Sequence, residues 1–162
     1  MGTWNPGSFE NDAAADAVEY LLECDGYRLI EVWVKECLDA YENDDTISVD
    51  LCSSVIVGAE VVAALENRSA ADMPRKLAKW IKKYQPKDQL RLKQKVNFAL
   101  FFATEHSKSE LKQLWKEKGD MPWRAAVNEL KIRTEYIKSG IESGWLKLNE
   151  DGKPVLKMQI KK

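Results

Sequence analysis

Cysteine and histidine are scarce in this 162-residue sequence. The three cysteines, Cys24, Cys37 and Cys52, include no Cys-x-x-Cys pair, and His106 is the single histidine. A zinc site needs about four such ligands with several at short spacing, so the sequence predicts no metal site of this kind. We expect the cysteines to be small buried side chains of a protein from a reducing compartment.

Long apolar runs and catalytic motifs are also missing. No early segment resembles a secretory signal, and no apolar run has the length of a membrane span, which predicts a cytoplasmic protein without membrane association. The sequence contains no Gly-x-Ser-x-Gly, no glycine-rich phosphate loop and no His-Glu pair. We therefore expect neither enzymatic activity nor a cofactor.

Charge is balanced overall but unevenly distributed along the chain. The 25 Lys and Arg residues against 26 Asp and Glu give a net charge of −1, which excludes a uniformly basic nucleic-acid coat. Residues 1–72 carry 16 acidic and three basic side chains, a net charge of −13, whereas residues 73–162 have a net charge of +12. Such a chain can present an acidic face to a basic partner.

Helical periodicity dominates the rest of the pattern. Apolar residues recur three and four positions apart from residue 12 to about residue 143, which predicts a mainly α fold, a compact bundle of about six or seven helices. The run 55–65 is apolar nearly all round and indicates a central buried helix. After Gly144 the period becomes two around a turn at residues 149–152, which predicts a β-hairpin whose return strand covers 155–160. We expect a helical domain, 1–143, with a hairpin appendage, 144–162, packed on it.

Residues 122–143 allow two interpretations. One apolar stripe at alternating spacings of four and three predicts a single helix; it comprises Trp123, Val127, Leu130, Thr134, Ile137 and Ile141. A break near residues 132–134 would instead give a helix-turn-helix. We favour the single helix, because no Gly or Pro lies at the break and the stripe passes through it in phase.

The opening residues 1–16, MGTWNPGSFENDAAAD, form the most distinctive segment. They resemble the start of an uncharacterised bacterial family, domain of unknown function 4259, which begins Met-Gly-Thr-Trp and continues with Gly, Phe and Asn-Asp. The resemblance extends through residues 59–65 and 109–115 to about residue 138. It departs at Asn5, where the family has Gly, and at Ala13, where it has Asp. It implies an architecture, and the family carries no established activity.

An acidic loop is the main candidate for a binding surface. Five carboxylates surround it, namely Asp39, Glu42, Asp44, Asp45 and Asp50, and they repel one another unless a basic group compensates. Two alternatives remain open. An external basic protein could contact them, or Lys79, Lys82, Lys83 and Lys87 of the same molecule could neutralise them.

Other candidate residues are more isolated. Glu60 is a lone carboxylate in the apolar helix, where it could serve as an acid or base, or be held by an Arg or a Trp N–H group. Asn11, Asp12 and Asp16 offer oxygen ligands, but capping of the first helix explains them without a metal. Most of the six tryptophans fall on apolar stripes, whereas Trp4 is expected to lock the opening segment over the bundle.

These features favour a non-enzymatic protein-binding module. The specific hypothesis is a cytoplasmic immunity or inhibitor protein that occludes the active site of a bacterial toxin through its acidic face. One alternative is nucleic-acid binding by a winged-helix-like basic half, with Arg133 and Lys138 facing DNA and Lys147, Lys153 and Lys157 on the wing. Another is an enzyme that uses Glu60 as acid or base. The oligomeric state is left open.

Overall fold

The computed structural model describes residues 5–157, which form eight α-helices followed by one β-hairpin. The helices are α1 (Asp12–Leu22), α2 (Arg28–Glu42), α3 (Val49–Leu65), α4 (Arg75–Lys83), α5 (Gln89–Glu105), α6 (Glu110–Lys118), α7 (Met121–Arg133) and α8 (Tyr136–Ser143). The strands are β1 (Leu146–Leu148) and β2 (Pro154–Leu156). The predicted mainly α class with a hairpin after the helices is therefore confirmed.

Side-chain caps begin several of these helices. The Asn11 side chain accepts a hydrogen bond from the Ala14 N–H at 2.8 Å, and Ser48 and Asp88 cap α3 and α5 in the same way. Each cap satisfies a backbone N–H that has no partner inside its own helix. The capping role predicted for Asn11 is confirmed.

The core is centred on α3 and α5, which pack against each other. Eleven of the 17 residues of α3 are buried, which confirms the central position predicted from its apolar run. Helices α1 and α2 also pack on α3, and α5 contacts α2 and α8. Five tryptophans are buried, as predicted from the stripes; they are Trp33, Trp80, Trp115, Trp123 and Trp145. The expectation for Trp4 lies outside the described residues.

The prediction of one helix over residues 122–143 is wrong. Helix α7 ends at Arg133, Glu135 adopts a left-handed conformation with φ of 53°, and α8 begins at Tyr136. The break is stabilised by α5, because the Asn97 side-chain amide donates to the Thr134 carbonyl at 3.1 Å and the Lys93 ammonium pairs with Glu135. This break brings the described part of the chain to eight helices, one more than the upper end of the predicted range.

The hairpin is short and is anchored by Trp145. Strands β1 and β2 pair antiparallel, with Leu146 opposite Leu156. The Trp145 ring, just before β1, lies 5.2 Å from the Phe98 ring of α5, centroid to centroid. The described return strand ends at Leu156, and residues 158–160 of the predicted strand lie outside the described residues. Within residues 5–157, no helix has the length and apolar character needed to cross a membrane.

Candidate functional site

The acidic loop lies between α2 and α3 and is fixed by α6. Ile47, at the centre of the loop, is fully buried; its N–H donates to the Lys108 carbonyl, and its carbonyl accepts from the Glu110 N–H, both at 2.9 Å. Asp44 adopts a left-handed conformation with φ of 56°, which turns the chain out of α2. These contacts hold the loop backbone in one conformation although its acidic side chains point away from the core.

The predicted carboxylates share this surface. Asp39 is partly exposed, whereas Glu42, Asp44, Asp45 and Asp50 are exposed. Asp39 accepts a hydrogen bond from Lys35, one turn earlier on α2, at 2.8 Å, and this bond raises the pKa of Lys35. Asp44 lies 3.8 Å from Lys108. The structure thus places Asp44 and Asp45 in the loop, Asp39 and Glu42 in the last turn of α2, and Asp50 in the first turn of α3.

The ion pairs of Asp39 and Asp44 involve lysines other than the four predicted as internal partners. Asp39 pairs with Lys35 and Asp44 with Lys108, and within residues 5–157 neither of these two carboxylates pairs with Lys79, Lys82, Lys83 or Lys87. Lys87 does line the groove between α2 and the start of α5 that Asp39 and Glu42 also line. The neutralisation of Asp39 and Asp44 within the molecule therefore comes from Lys35 and Lys108.

Glu60 is buried and fully engaged by other side chains. Its carboxylate receives two hydrogen bonds from the Arg133 guanidinium, Nη1 to Oε1 at 2.8 Å and Nη2 to Oε2 at 2.9 Å. The Ser8 hydroxyl also donates to Oε2, at 2.6 Å. This two-bond geometry is the strong form of a carboxylate–guanidinium pair. The sequence allowed Glu60 to be an acid or base, or to be held by an arginine or tryptophan. In the structure it is held by an arginine.

A cleft of about 440 Å³ opens beside Glu60. Glu129 of α7 lines it and accepts a hydrogen bond from Arg133 Nε at 2.6 Å, so Glu60 and Glu129 hold the same guanidinium. Both carboxylates raise the pKa of Arg133, which stays charged, and Arg133 in turn lowers the pKa of Glu129. Proton transfer by Glu60 would require this pair to separate first.

One of the two residues predicted to face DNA is placed differently from that expectation. The helix break that a helix-turn-helix needs is present, but Arg133 points inward to Glu60, so the prediction that it faces DNA is wrong. Lys138, Lys147, Lys153 and Lys157 are exposed. The outer face of α8 also carries Ile137 and Ile141, which are 43% and 44% exposed and cannot contact phosphates favourably.

The other predicted ligand and acid–base candidates have structural roles. Asp12 and Asp16 are exposed beside the Asn11 cap, and no group of three His, Cys, Asp or Glu residues within 5–157 could hold a metal ion. His106 accepts the Lys108 N–H at Nδ1, and its ring contacts Tyr41 edge-on, while burial lowers its pKa. Cys37 and Cys52 are buried as expected, Cys24 is partly exposed, and all three are free thiols.

One charged cluster was missed by the sequence reasoning. Glu105, at the end of α5, pairs with Arg124 at 3.2 Å and with Lys131 at 2.5 Å. Burial acts to raise the pKa of Glu105, but the two cations outweigh it and lower that pKa below its usual value. The cluster borders a groove of about 560 Å³ between α5, α8 and the hairpin. No sequence signal marks it, because its members lie on different helices with no common spacing.

Comparison with known proteins assigns a family but no activity or partner. The model of the family described as Domain of unknown function (DUF4259) matches residues 2–126, a shorter stretch than the resemblance to about residue 138. No curated protein and no solved structure matches the chain. The family match includes the acidic loop and Glu60 but ends before Arg133 and the helix break. The chain therefore belongs to the DUF4259 family.

Proposed function

We propose that this protein is a cytoplasmic, non-enzymatic binding module that uses the acidic loop to bind a basic protein. The observation that carries the proposal is an exposed group of carboxylates on a backbone fixed by Ile47. A fixed backbone lowers the entropy lost on binding, and a concentrated negative charge accelerates association with a positive surface. The specific form of the proposal is an immunity or inhibitor protein whose loop occludes the active site of a basic toxin.

The location of the carboxylates supports binding rather than catalysis. Asp44 and Asp45 stand on the outer side of the loop, whereas catalytic carboxylates usually lie in a cleft from which water is excluded. The buried carboxylate of the chain, Glu60, is already paired with Arg133. An exposed acidic surface of this kind would complement the basic active-site surface of an enzyme that acts on nucleic acid.

The first experiment compares two double charge reversals that change net charge equally. The loop variant is Asp44→Lys with Asp45→Lys, and the matched control is Asp16→Lys with Glu19→Lys on the exposed face of α1. Each tagged protein is used to isolate partners from the native cytoplasm at low salt. We expect one protein at equal molar amount with wild type and control, and its loss from the loop variant.

Kinetics and function of the isolated partner complete the test. The association rate constant should fall about 10-fold or more for the loop variant at low salt and change little for the control. Co-production of the wild-type chain should suppress the activity or toxicity of the partner, and the loop variant should not. Equal binding by wild type, loop variant and control would show that the acidic loop is not the binding surface.

Nucleic-acid binding is the second candidate, and the observed helix break is what favours it. Helix α8 and the hairpin follow the break in the order that a winged helix would have. Lys138 and the hairpin lysines are exposed and could contact phosphates. The exposed isoleucines on α8 and the pairing of Arg133 with Glu60 argue against this candidate. Recovery of nucleic acid that is insensitive to the loop substitutions and removed by salt would favour this candidate.

A further inference from the structure

The sequence around the helix break would also suit one continuous helix. The stripe from Trp123 to Ile141 contains no Gly or Pro at the break, at residues 134–135. In an uninterrupted α-helix the six residues of this stripe would lie within about 80° of one another. The local sequence is therefore compatible with a straight helix, although the structure breaks it.

The break rotates α8 away from that stripe. Helix α8 buries Tyr136, Ser139 and Gly140, which on a straight helix would lie on the side opposite the stripe. Ile137 and Ile141, which belong to the stripe, are left 43% and 44% exposed. The two arrangements thus bury opposite faces of the same helix.

Glu135 carries the conformational cost of the break. Its left-handed backbone is disfavoured for a residue with a side chain. The conformation is held by the pair with Lys93, a 3.4 Å contact with Arg68 and the bond from Asn97 to the Thr134 carbonyl. The hinge is therefore a strained backbone that is held by α5 and by the segment after α3.

Residues 136–157 form a unit that is attached to the bundle mainly through α5. Within the unit, the Tyr136 ring lies 5.4 Å from the Trp145 ring, and Leu146 packs against Gly140. Toward the bundle, Trp145 contacts Phe98 and Phe101 of α5. These contacts with α5 involve only that surface, so they could also form with α5 of a second molecule. The contact of the Lys131 ammonium of α7 with the Tyr136 ring, at 4.6 Å, belongs to the broken helix.

We propose that this protein forms a domain-swapped dimer in which residues 136–157 of each chain pack on α5 of the other. The hinge at Thr134–Glu135 straightens, α7 and α8 become one helix, and Glu135 leaves the left-handed region. Ile137 and Ile141 then continue the apolar stripe at the point where the two straightened helices meet and cover each other. The occupant of the exposed isoleucine face is thus a second copy of this chain.

A matched pair of substitutions at the hinge tests this proposal. Glu135→Gly and Glu135→Ala both remove the carboxylate and its pair with Lys93, so they differ only in backbone preference. Glycine favours the left-handed monomer hinge, and alanine favours the straight helix. Each protein is concentrated, warmed below its melting temperature to allow exchange, cooled, and analysed by size-exclusion chromatography with light scattering.

We expect a dimer association constant at least about 10-fold larger for Glu135→Ala than for Glu135→Gly, with wild type forming a detectable, slowly interconverting dimer at high concentration. Adding Ile141→Asp to Glu135→Ala should reduce the dimer again. Tryptophan fluorescence should be the same in monomer and dimer, because the contacts of Trp145 with α5 are retained.

Two outcomes would overturn the swap. A wild-type chain that stays monomeric at every concentration excludes it directly, without depending on the folding of any variant. Equal dimerisation of the Gly and Ala variants would show association through the surface alone, without straightening of the hinge.

Discussion

At the scale of single residues, the pair between Glu60 and Arg133 links the central helix to α7. Both groups are removed from water, with side-chain exposures of 2% and 15%. A buried ion pair is expensive to break from one side, because the remaining charge has no partner. The role of this pair is to hold α7 on α3 at the position where the chain then enters the hinge.

We predict that Arg133→Met lowers the free energy of unfolding by about 3–5 kcal/mol, because Glu60 is left buried without its cationic partner. Urea denaturation followed by circular dichroism measures the change. Arg124→Met is the control and should cost less, since Glu105 keeps Lys131 as a partner. Combining Arg133→Met with Glu60→Leu should recover most of the loss.

Equal destabilisation by Arg133→Met and Arg124→Met would contradict this view of the Glu60 pair. A double variant as unstable as Arg133→Met alone would also contradict it. That result would show that the lost stability comes from packing around Arg133 rather than from the unpaired Glu60.

At the scale of elements, the helices follow from periodicity and caps, whereas the hinge does not. The apolar stripe of α1, the apolar run of α3 and the Asn11 cap are local signals, so the sequence predicts these elements. Asn97 and Lys93 stabilise the break from 37 and 42 residues away in the chain. A contact at that separation leaves no trace in local spacing, and the left-handed residue is glutamate rather than glycine.

Part of the candidate site can likewise be predicted from the sequence, and part cannot. The acidic loop is visible in the sequence because its carboxylates are close together along the chain. The sequence leaves two alternatives for Glu60, an acid or base and a group held by an arginine or tryptophan, and it cannot identify Arg133 as the partner because the two residues are 73 positions apart. Arg133 was instead assigned to DNA, since an arginine in a basic half resembles a phosphate ligand when its buried partner is unknown.

The close approach of α8 and the hairpin gives a prediction at this scale. A Cβ atom at Gly140 would lie 2.7 Å from Leu146 Cβ and 2.9 Å from Leu146 Cδ2. Gly140→Ala should therefore destabilise the protein by about 1–3 kcal/mol, although alanine is the better helix former. Thermal denaturation and hydrogen exchange should show the loss, with protection falling first in α8 and the hairpin.

Gly26→Ala is the matched control, because a Cβ at that position meets nothing within 4 Å. We expect its stability to stay close to that of the wild type. If Gly140→Ala behaved like this control, the hairpin would not be packed against α8 in solution.

At the scale of the whole molecule, the acidic and basic halves of the sequence are joined by ion pairs. Glu60 contacts Arg133, Glu66 contacts Lys93 at 3.2 Å, and Glu31 contacts Lys95 at 3.5 Å. Each pair joins a carboxylate of residues 1–72 to a cation of residues 73–162. Part of the charge separation along the sequence is thus compensated in space, and the acidic loop contributes one such pair, between Asp44 and Lys108.

These pairs predict how stability depends on pH. The pKa of Glu66 is lowered, first by its bond from Gln89, and the pKa of Glu135 by its bond from Lys93. The pKa of Glu105 is lowered as well, although burial acts to raise it. The unfolded chain therefore takes up protons before the folded one as pH falls through the ordinary carboxyl range near 4.5.

The free energy of unfolding should be greatest above that pH and decrease as pH falls from about 5 toward the folded pKa values. Denaturant titrations between pH 7 and pH 3 measure the decrease. In Glu105→Gln, the contribution of Glu105 is absent, so its stability should be lower at pH 7 and should fall less steeply in acid. Stability that is constant from pH 7 to pH 3 would show that the pairs are not formed in solution.

The bond between Ile47 and the segment before α6 has a consequence for synthesis on the ribosome. The acidic loop can acquire its shape only when residues 108–110 are present, because they donate to and accept from Ile47. A nascent chain that has just completed α3 carries the full charge of the loop without its geometry. The acidic loop is therefore expected to mature late, after α5 has left the exit tunnel and brought the first residues of α6 back to the loop.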